Sequence, residues 1–385
     1  MLALLTACLR LWVGPRTVDD AYITFRYARN IAYGLGFVYN PGEYILGTTT
    51  PLFTLLLALI QRTIGSHLDL AALLINAAAD AGTVVIIYAI VHRASGVNGI
   101  GIIAGLLFAF SAGSIRFSAG GMESGLFTFF IMLSIWFLIK GSYLFSAGLA
   151  SLATLTRPEG LILLVVVGGL YIWSLRRVPW RMATLCAVIL GPWLVFASVY
   201  FGSPFPHSAV AKHSTYTFPA LTAFKSLLGY LPGYVLPLTG TIGSRLYKYG
   251  FITSVLLLTA VTVTHGGNKA SRSGIVLWLF PALYVSAYTL ANPPIWEWYA
   301  VPLVPFACCA LTIGGAQIVK QLIIGTNFLH LRGSMFPWLR FGISLAATVT
   351  IICAGLIQLA DALAHDPRVE RELVYQTIAQ ELSTN

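Results

Sequence analysis

Apolar stretches of about twenty residues, each about long enough to cross some 30 Å of hydrocarbon, recur along this chain. Few folds can absorb such a pattern. Of 385 residues 57% are hydrophobic and only 9% charged, with a mean hydropathy of +0.81, whereas about a quarter of a soluble domain's residues carry charge. In lipid every backbone polar group must be satisfied internally, which leaves helices or a closed barrel. Long unbroken runs without ten-residue alternation exclude the barrel. The expectation is an all-α, polytopic membrane bundle. Expected spans cover 70–92, 97–113, 124–140, 143–156, 160–175, 182–201, 250–265, 274–290, 299–318 and 341–361. A short N-terminal span from Met1 to Val13, interrupted by Arg10, brings the number to about eleven. It carries no cleavable leader pattern and is short for a crossing, so either the start lies upstream or the first helix is truncated.

Net charge is +10, yet the basic residues stand singly between spans and form no nucleic-acid-binding patch. They report sidedness instead. One set of connections (Arg93, Lys140, Arg176, Arg177, Arg181, Lys269, Arg272, Lys320, Arg332, Arg340) holds ten Lys/Arg and no acid, and by the positive-inside rule faces the cytoplasm. The opposite connections hold Asp19, Asp20, Glu43, Arg116, Glu123, Arg157, Glu159, Lys212, His213 and Glu297. Chemistry is therefore expected on the outer, periplasmic or extracytoplasmic face of a plasma-membrane protein. Thr48 to Gly65 is apolar enough to cross, but a crossing there would invert Arg116 and Glu123; it is read as a membrane-lying or re-entrant piece of the first outer loop. Asp80 is the one acid in mid-span, either a packing hydrogen bond or functional. Cys8, Cys186, Cys308, Cys309 and Cys353 lie in apolar stretches without CxxC spacing and read as small core residues.

The expected transmembrane module spans 1–364. Its first outer loop is 19–69 and a long outer loop is 202–249; a short polar tail, 365–385, can be the start of a missing outer domain. The first loop reads DDAYITFRYARNIAYGLGFVYNPGEYILGTTTP from Asp19 to Pro51. At helical spacing Asp19, Tyr22, Arg26, Arg29 and Tyr33 share one face and Ile23, Tyr27 and Ile31 another, which predicts an amphipathic helix at the interface. A carboxylate followed one and two turns later by arginines offers a base beside phosphate-holding groups. The same residues can be a helix cap and snorkelling arginines. Gly34, Gly36, Pro41 and Gly42 predict a turn-rich loop in which Asn40 and Glu43 offer polar contacts.

This loop resembles the signature of bacterial polyprenyl-phosphate-dependent glycosyltransferases of the GT-C type, in particular the group that includes mycobacterial terminal arabinofuranosyltransferases. Four further pieces fit in order: GGMESGLF at Gly120–Phe127, TRPEG at Thr156–Gly160, YFGSPFPHSAVAK at Tyr200–Lys212 and WEWYAVPLVP at Trp296–Pro305. The resemblance implies a GT-C-like fold, a polyprenyl-phosphate sugar donor drawn from membrane lipid, a cell-envelope glycan, lipid or protein acceptor, and inverting glycosyl or pentosyl transfer. One acid of the first loop serves as base, with Asp19 favoured over Asp20 because it shares the arginine face. Glu123 takes the second acidic position, or caps the helix starting at Ser124. Arg157 and Glu159 either pair or touch ligand. Lys212 and His213 add positive charge near the leaving phosphate, although His213 suits a solvated loop equally. Trp296, Trp298 and Tyr299, with Glu297 among them, form an interface belt or a sugar platform. A divalent cation, Mg or Mn, fits beside Asp19, Asp20 and Glu123, but no ligand spacing specifies one. Composition alone equally suits a transporter or lipid flippase, and a scaffolding subunit without activity is the third reading.

Overall fold

The computed structural model describes residues 1–65, 67–204, 206, 218–235, 244–264 and 268–318. The expected span at 341–361, the tail 365–385, Cys353, Lys212 and His213 lie outside the described residues. The architecture is all-helical, and no strand occurs among the described residues. In order the helices are α1 (Leu2–Val13), α2 (Ala21–Ala32), α3 (Pro51–Ile64), α4 (Leu68–Ser95), α5 (Asn98–Ala109), α6 (Ala112–Ala119), α7 (Ser124–Ile139), α8 (Tyr143–Thr156), α9 (Gly160–Leu175) and α10 (Trp180–Phe201). Then follow α11 (Thr222–Val235), α12 (Ser244–Thr264), α13 (Asn268–Ala291), a 3-10 segment (Glu297–Leu303), α14 (Val304–Cys309) and a π-turn (Ala310–Gly314).

Among the described residues three helical stretches are by themselves long and apolar enough to cross a membrane, α4, α10 and Glu297–Ile318, or four if α5 and α6 count as one span bent by 48°, and shorter apolar helices occupy the expected spans at 124–140, 143–156 and 160–175. The continuous span anticipated at 97–113 breaks at Phe110 and Ser111, where the Ser111 side chain accepts from the Ser114 amide and starts a new helix. Elsewhere the helices are short because polar end residues stop them early. α7, α8 and α9, of 16, 14 and 16 residues, extend about 24, 21 and 24 Å at about 1.5 Å per residue. These three pack side by side. One set of their ends carries Glu123, Arg157 and Glu159, and the other carries Lys140 and Arg176.

The main core gathers Phe108, Phe127, Ile131, Val167, Phe280 and Phe306 from five of these helices. A second core lies under the first loop, where α2 and α3 pack through Ala21, Phe25, Ala28, Phe53 and Leu57. α2 forms as expected, with Arg29 and Tyr33 exposed, but its buried face is Ala21, Thr24, Phe25, Tyr27 and Ala28. Ile23 is exposed, because small residues let α2 approach its neighbours and the isoleucine points outward. Tyr27 is held inside by donating to the Ile45 carbonyl at 2.6 Å and accepting from the Gly47 amide at 2.9 Å. The loop after α2 turns through Gly34, Gly36 and Gly42, all at positive φ. The core reading of the cysteines holds for Cys308 and Cys309; Cys186 is half-buried and Cys8 faces out of the bundle, as an apolar medium permits.

Candidate active site

The segment that enters α2 is tied to the turn that enters α7. The Arg16 amide donates to the Ala119 carbonyl at 2.8 Å and the Val18 amide to Gly120 at 3.0 Å. Gly121 adopts φ 78°, and a Cβ there would stand 2.9 Å from the Phe25 ring and 3.3 Å from Thr17. Only glycine allows this close approach. The DD pair and Glu123 are thus brought to one place although they are a hundred residues apart in sequence.

The two aspartates differ in setting. Asp19 lies before α2 and is exposed, whereas Asp20 is half-buried at the N-cap position and makes no capping hydrogen bond with its side chain. Asp20 is also the acid whose charge reaches Glu123. The regular helix begins at Ala21, and the Asp19 and Asp20 carbonyls accept the Tyr22 and Ile23 amides at 3.1 and 3.2 Å, so both acids stand in the turn that opens it. Glu123 likewise occupies an N-cap position without a side-chain cap bond, which removes capping as its explanation.

Glu123 is instead part of a buried charge cluster. Arg157 Nη2 donates to Glu159 Oε1 at 3.0 Å, and Arg157 Nη1 stands 3.6 Å from Glu123 Oε1. The Tyr288 hydroxyl bonds the same Glu159 oxygen. Above the guanidinium lies the Tyr299 ring at 4.8 Å, in edge contact with Tyr288 at 5.3 Å. Burial opposes the Arg157 charge, but Glu159 and Glu123 outweigh it and hold the guanidinium well above its usual range. Burial also pushes at Glu159, where the attraction and hydrogen bonds of Arg157 and Tyr288 reverse the effect and keep it ionised. Glu123 goes the other way: burial raises its carboxyl, Arg157 offsets only part, and Glu159 and Asp20 raise it further. Two carboxyls on one arginine are therefore driven apart in acidity, as acid and base partners are in enzyme sites.

This asymmetry has a measurable consequence. A folded-state carboxyl raised above its unfolded value makes the native state lose stability as pH climbs from the ordinary carboxylate range through the raised value. Glu123→Gln removes that loss. The melting temperature of the variant should match the parent near pH 4 and exceed it at pH 8; a constant offset across pH would contradict the raised acidity.

Two buried polar atoms at this point have no hydrogen-bond partner among the described residues: Arg157 Nη1 and Ser124 Oγ. Buried polar groups are normally paired, and Arg157 Nη1 has only the Glu123 carboxylate near it, at 3.6 Å. No group of three His, Cys, Asp or Glu side chains converges as a metal site among the described residues, and the donor set around Glu123 includes a guanidinium. Among the described residues this set does not fit a divalent centre.

Arg26, Asn40 and Glu43 have found one another. Arg26 donates to the Tyr39 carbonyl at 2.9 Å and to Asn40 Oδ1 at 2.7 Å, lies 4.4 Å over the Tyr39 ring, and Asn40 Nδ2 donates to Glu43 at 3.0 Å. They shape the loop. Arg29 is exposed one turn later. Arg116 and Glu297 form an exposed ion pair at 2.6 Å, and Trp296, 49% exposed, stacks on Trp298 at 5.8 Å, which stacks on Tyr299 at 6.1 Å. The aromatic row runs directly into the charge cluster, and Tyr234 donates its hydroxyl to the Glu297 carbonyl at 3.2 Å.

Sequence reasoning did not single out Ser124, Asn76, Tyr284, Tyr288 or the role of Arg10. Tyr284 and Tyr288, one turn apart in an otherwise apolar helix, were a usable signal, since buried tyrosines need hydroxyl partners. For Arg10 the signal was Asp80: a mid-membrane acid calls for a cation at similar depth.

No protein-family model and no curated protein sequence matches this chain. Solved structures do resemble its fold, among them two of ArnT from Cupriavidus metallidurans. The apo form aligns at a TM-score of 0.63 with 13% identity, over 94% of this chain and 75% of that one. The form bound to undecaprenyl phosphate aligns at a TM-score of 0.65 with 13% identity, over 94% of this chain and 76% of ArnT, so that the helical fold resembles that of ArnT.

Proposed function

We propose that this protein is a membrane glycosyltransferase that moves a sugar from a polyprenyl-phosphate donor to a hydroxyl of a cell-envelope acceptor on the outer face. The observation that carries this reading is the meeting of Asp20, Glu123, Arg157 and Glu159 at one end of α7–α9, in a fold that ArnT shares. ArnT has been solved with undecaprenyl phosphate, which supports a lipid-phosphate donor here. The all-basic opposite connections support the outer placement.

In the proposed reaction the Asp20 carboxylate takes the proton of the acceptor hydroxyl as that oxygen bonds to the anomeric carbon. The bond from that carbon to the phosphate oxygen breaks, and the lipid phosphate leaves with the electron pair. Attack opposite the leaving group inverts the anomeric centre, and the phosphate leaves readily enough that no covalent enzyme intermediate is needed. Glu123, held toward its neutral form, donates a hydrogen bond to a sugar hydroxyl, and Arg157 Nη1 with Ser124 Oγ supplies the remaining donors. The cluster has three carboxyls against one guanidinium, which disfavours a phosphate within it. Exposed Arg29 is the better phosphate contact, as Arg26 is engaged in the loop. The half-exposed Trp296 ring beside the Arg116–Glu297 pair suits an acceptor sugar, with the ring stacking on its apolar face and the charges meeting hydroxyls.

The test uses the full chain in nanodiscs with a panel of radiolabelled polyprenyl-phosphate sugars and a cell-envelope extract. One donor should yield labelled acceptor with release of polyprenyl phosphate and an inverted anomeric centre. Movement of intact donor between leaflets without bond cleavage would replace this reading with a flippase.

A further inference from the structure

α4 presents two polar side chains one turn apart to the elements that carry the acids, and neither touches the cluster itself. Asn76 Nδ2 donates to the Met122 carbonyl at 2.7 Å, and Asn76 Oδ1 accepts from the Leu126 amide at 3.1 Å. Both bonds flank Glu123. A Cβ at position 125 would stand 2.8 Å from Asn76 Oδ1, so the glycine there lets the amide reach the backbone. Four residues on, Asp80 Oδ2 accepts from Arg10 Nε at 2.9 Å, Ser114 Oγ at 2.7 Å and Ser118 Oγ at 2.6 Å. Arg10 is fully buried and Asp80 nearly so. The same guanidinium bonds the carbonyls of Ala109 and, at 3.3 Å, Phe108. Those carbonyls end α5, where helix carbonyls otherwise lack partners.

The consequence is a fixed geometry around a broken span. Arg10 ends α5, Asp80 sets the depth and rotation of α6 through two serines, and α6 delivers Ala119 and Gly120, the carbonyls to which the Arg16 and Val18 amides are bonded. Asn76 holds the next turn, with Glu123. We propose that Asn76 and Asp80 are positioning residues: α4 acts as the template that sets the segment bearing Asp20 against the turn bearing Glu123. This rests on the reading of Asp20 and Glu123 as the reacting site. A buried ion pair is weak grounds for net stability but a recognised device for fixing register, and small misplacements of reacting groups slow catalysis strongly.

The experiment compares Asn76→Asp, which keeps the acceptor for Leu126 but loses the donor to Met122, and Ser118→Ala, which removes one of three bonds to Asp80. Asp80→Asn is the stronger variant, and Ser118→Ala serves should it fail to fold. Two quantities are read on folded full-length protein in nanodiscs: kcat and donor KM, and amide hydrogen exchange by peptide. Expected are a kcat lower by about tenfold or more with donor KM within about twofold, and faster exchange confined to the peptide over residues 14–20, where the Arg16 and Val18 amides lie. Unchanged exchange in that peptide would overturn the proposal. So would faster local exchange with parental kcat, or acceleration spread equally over α7–α9, which is what a merely structural role predicts. Parental turnover in Asp20→Asn would instead overturn the site reading, and the exchange data would still report on α4 as template.

Discussion

Asp20→Asn is expected to lower transfer by about a hundredfold or more while leaving donor binding intact, because the amide keeps the size and much of the hydrogen bonding but cannot take the acceptor's proton. Asp19→Asn should cost far less. Asp20 sits at the entry to α2 with its charge felt by Glu123, whereas Asp19 is exposed on the preceding turn. Initial rates at saturating donor, together with donor affinity measured separately, distinguish loss of chemistry from loss of binding. Arg29→Ala should show the reverse pattern, with donor affinity weakened, since a phosphate contact exists before the transition state as well as in it. If the Asp19 variant is the inactive one, the roles of the two acids are exchanged.

Arg157→Met should destabilise the protein by about 3–5 kcal/mol, the usual cost of leaving buried charge without its partner, and abolish transfer. Two carboxyls depend on this side chain, at 3.0 and 3.6 Å, and Tyr288 remains for only one of them. The defect has a sign in pH. With the arginine gone both carboxyls are easier to protonate than to bury charged, so the loss of melting temperature should be largest near pH 8 and shrink toward pH 4. Adding Glu159→Gln to Arg157→Met should recover part of the stability and none of the activity. An Arg157→Met variant as stable as the parent at pH 8 would mean that the cluster is hydrated rather than buried.

Much of this site was legible in the sequence because its chemistry is concentrated where charge is scarce. In a chain with so few ionisable residues, acids and arginines gathered in alternate connections stand out, and Glu123, Arg157, Glu159 and Tyr299 do meet. Individual partners were less legible. Helical periodicity put Asp19 on the arginine face of α2, but periodicity says nothing about where a helix begins, and the regular helix starts at Ala21 with both acids in the turn that opens it. Arg26, Asn40 and Glu43 have the composition of a ligand site and are taken up by one another, a choice made by the turn geometry at Gly34, Gly36 and Gly42. The break at Ser111 was not legible, because hydropathy registers apolar length and does not register the side-chain cap that starts a new helix. Asn76 was invisible, since an asparagine in an alanine-rich helix acquires meaning only from the carbonyl it meets across the bundle.

Helices of about 21–24 Å standing side by side as α7, α8 and α9 also bear on the bilayer around them. Hydrocarbon is about 30 Å thick, and a shorter apolar belt is met by thinning of the surrounding lipid or by headgroups sinking alongside, at a modest cost per ångström. Either response carries the polar surface of the membrane toward the ends of these helices. In a bilayer that responds this way, the Glu123, Arg157 and Glu159 end would lie closer to the headgroups than a full-length bundle would place it. A long-tailed substrate could present its head to such a recess by drifting laterally in its own leaflet, without lifting any of its tail into water, and the thickness of the host membrane becomes a determinant of how well the protein is served.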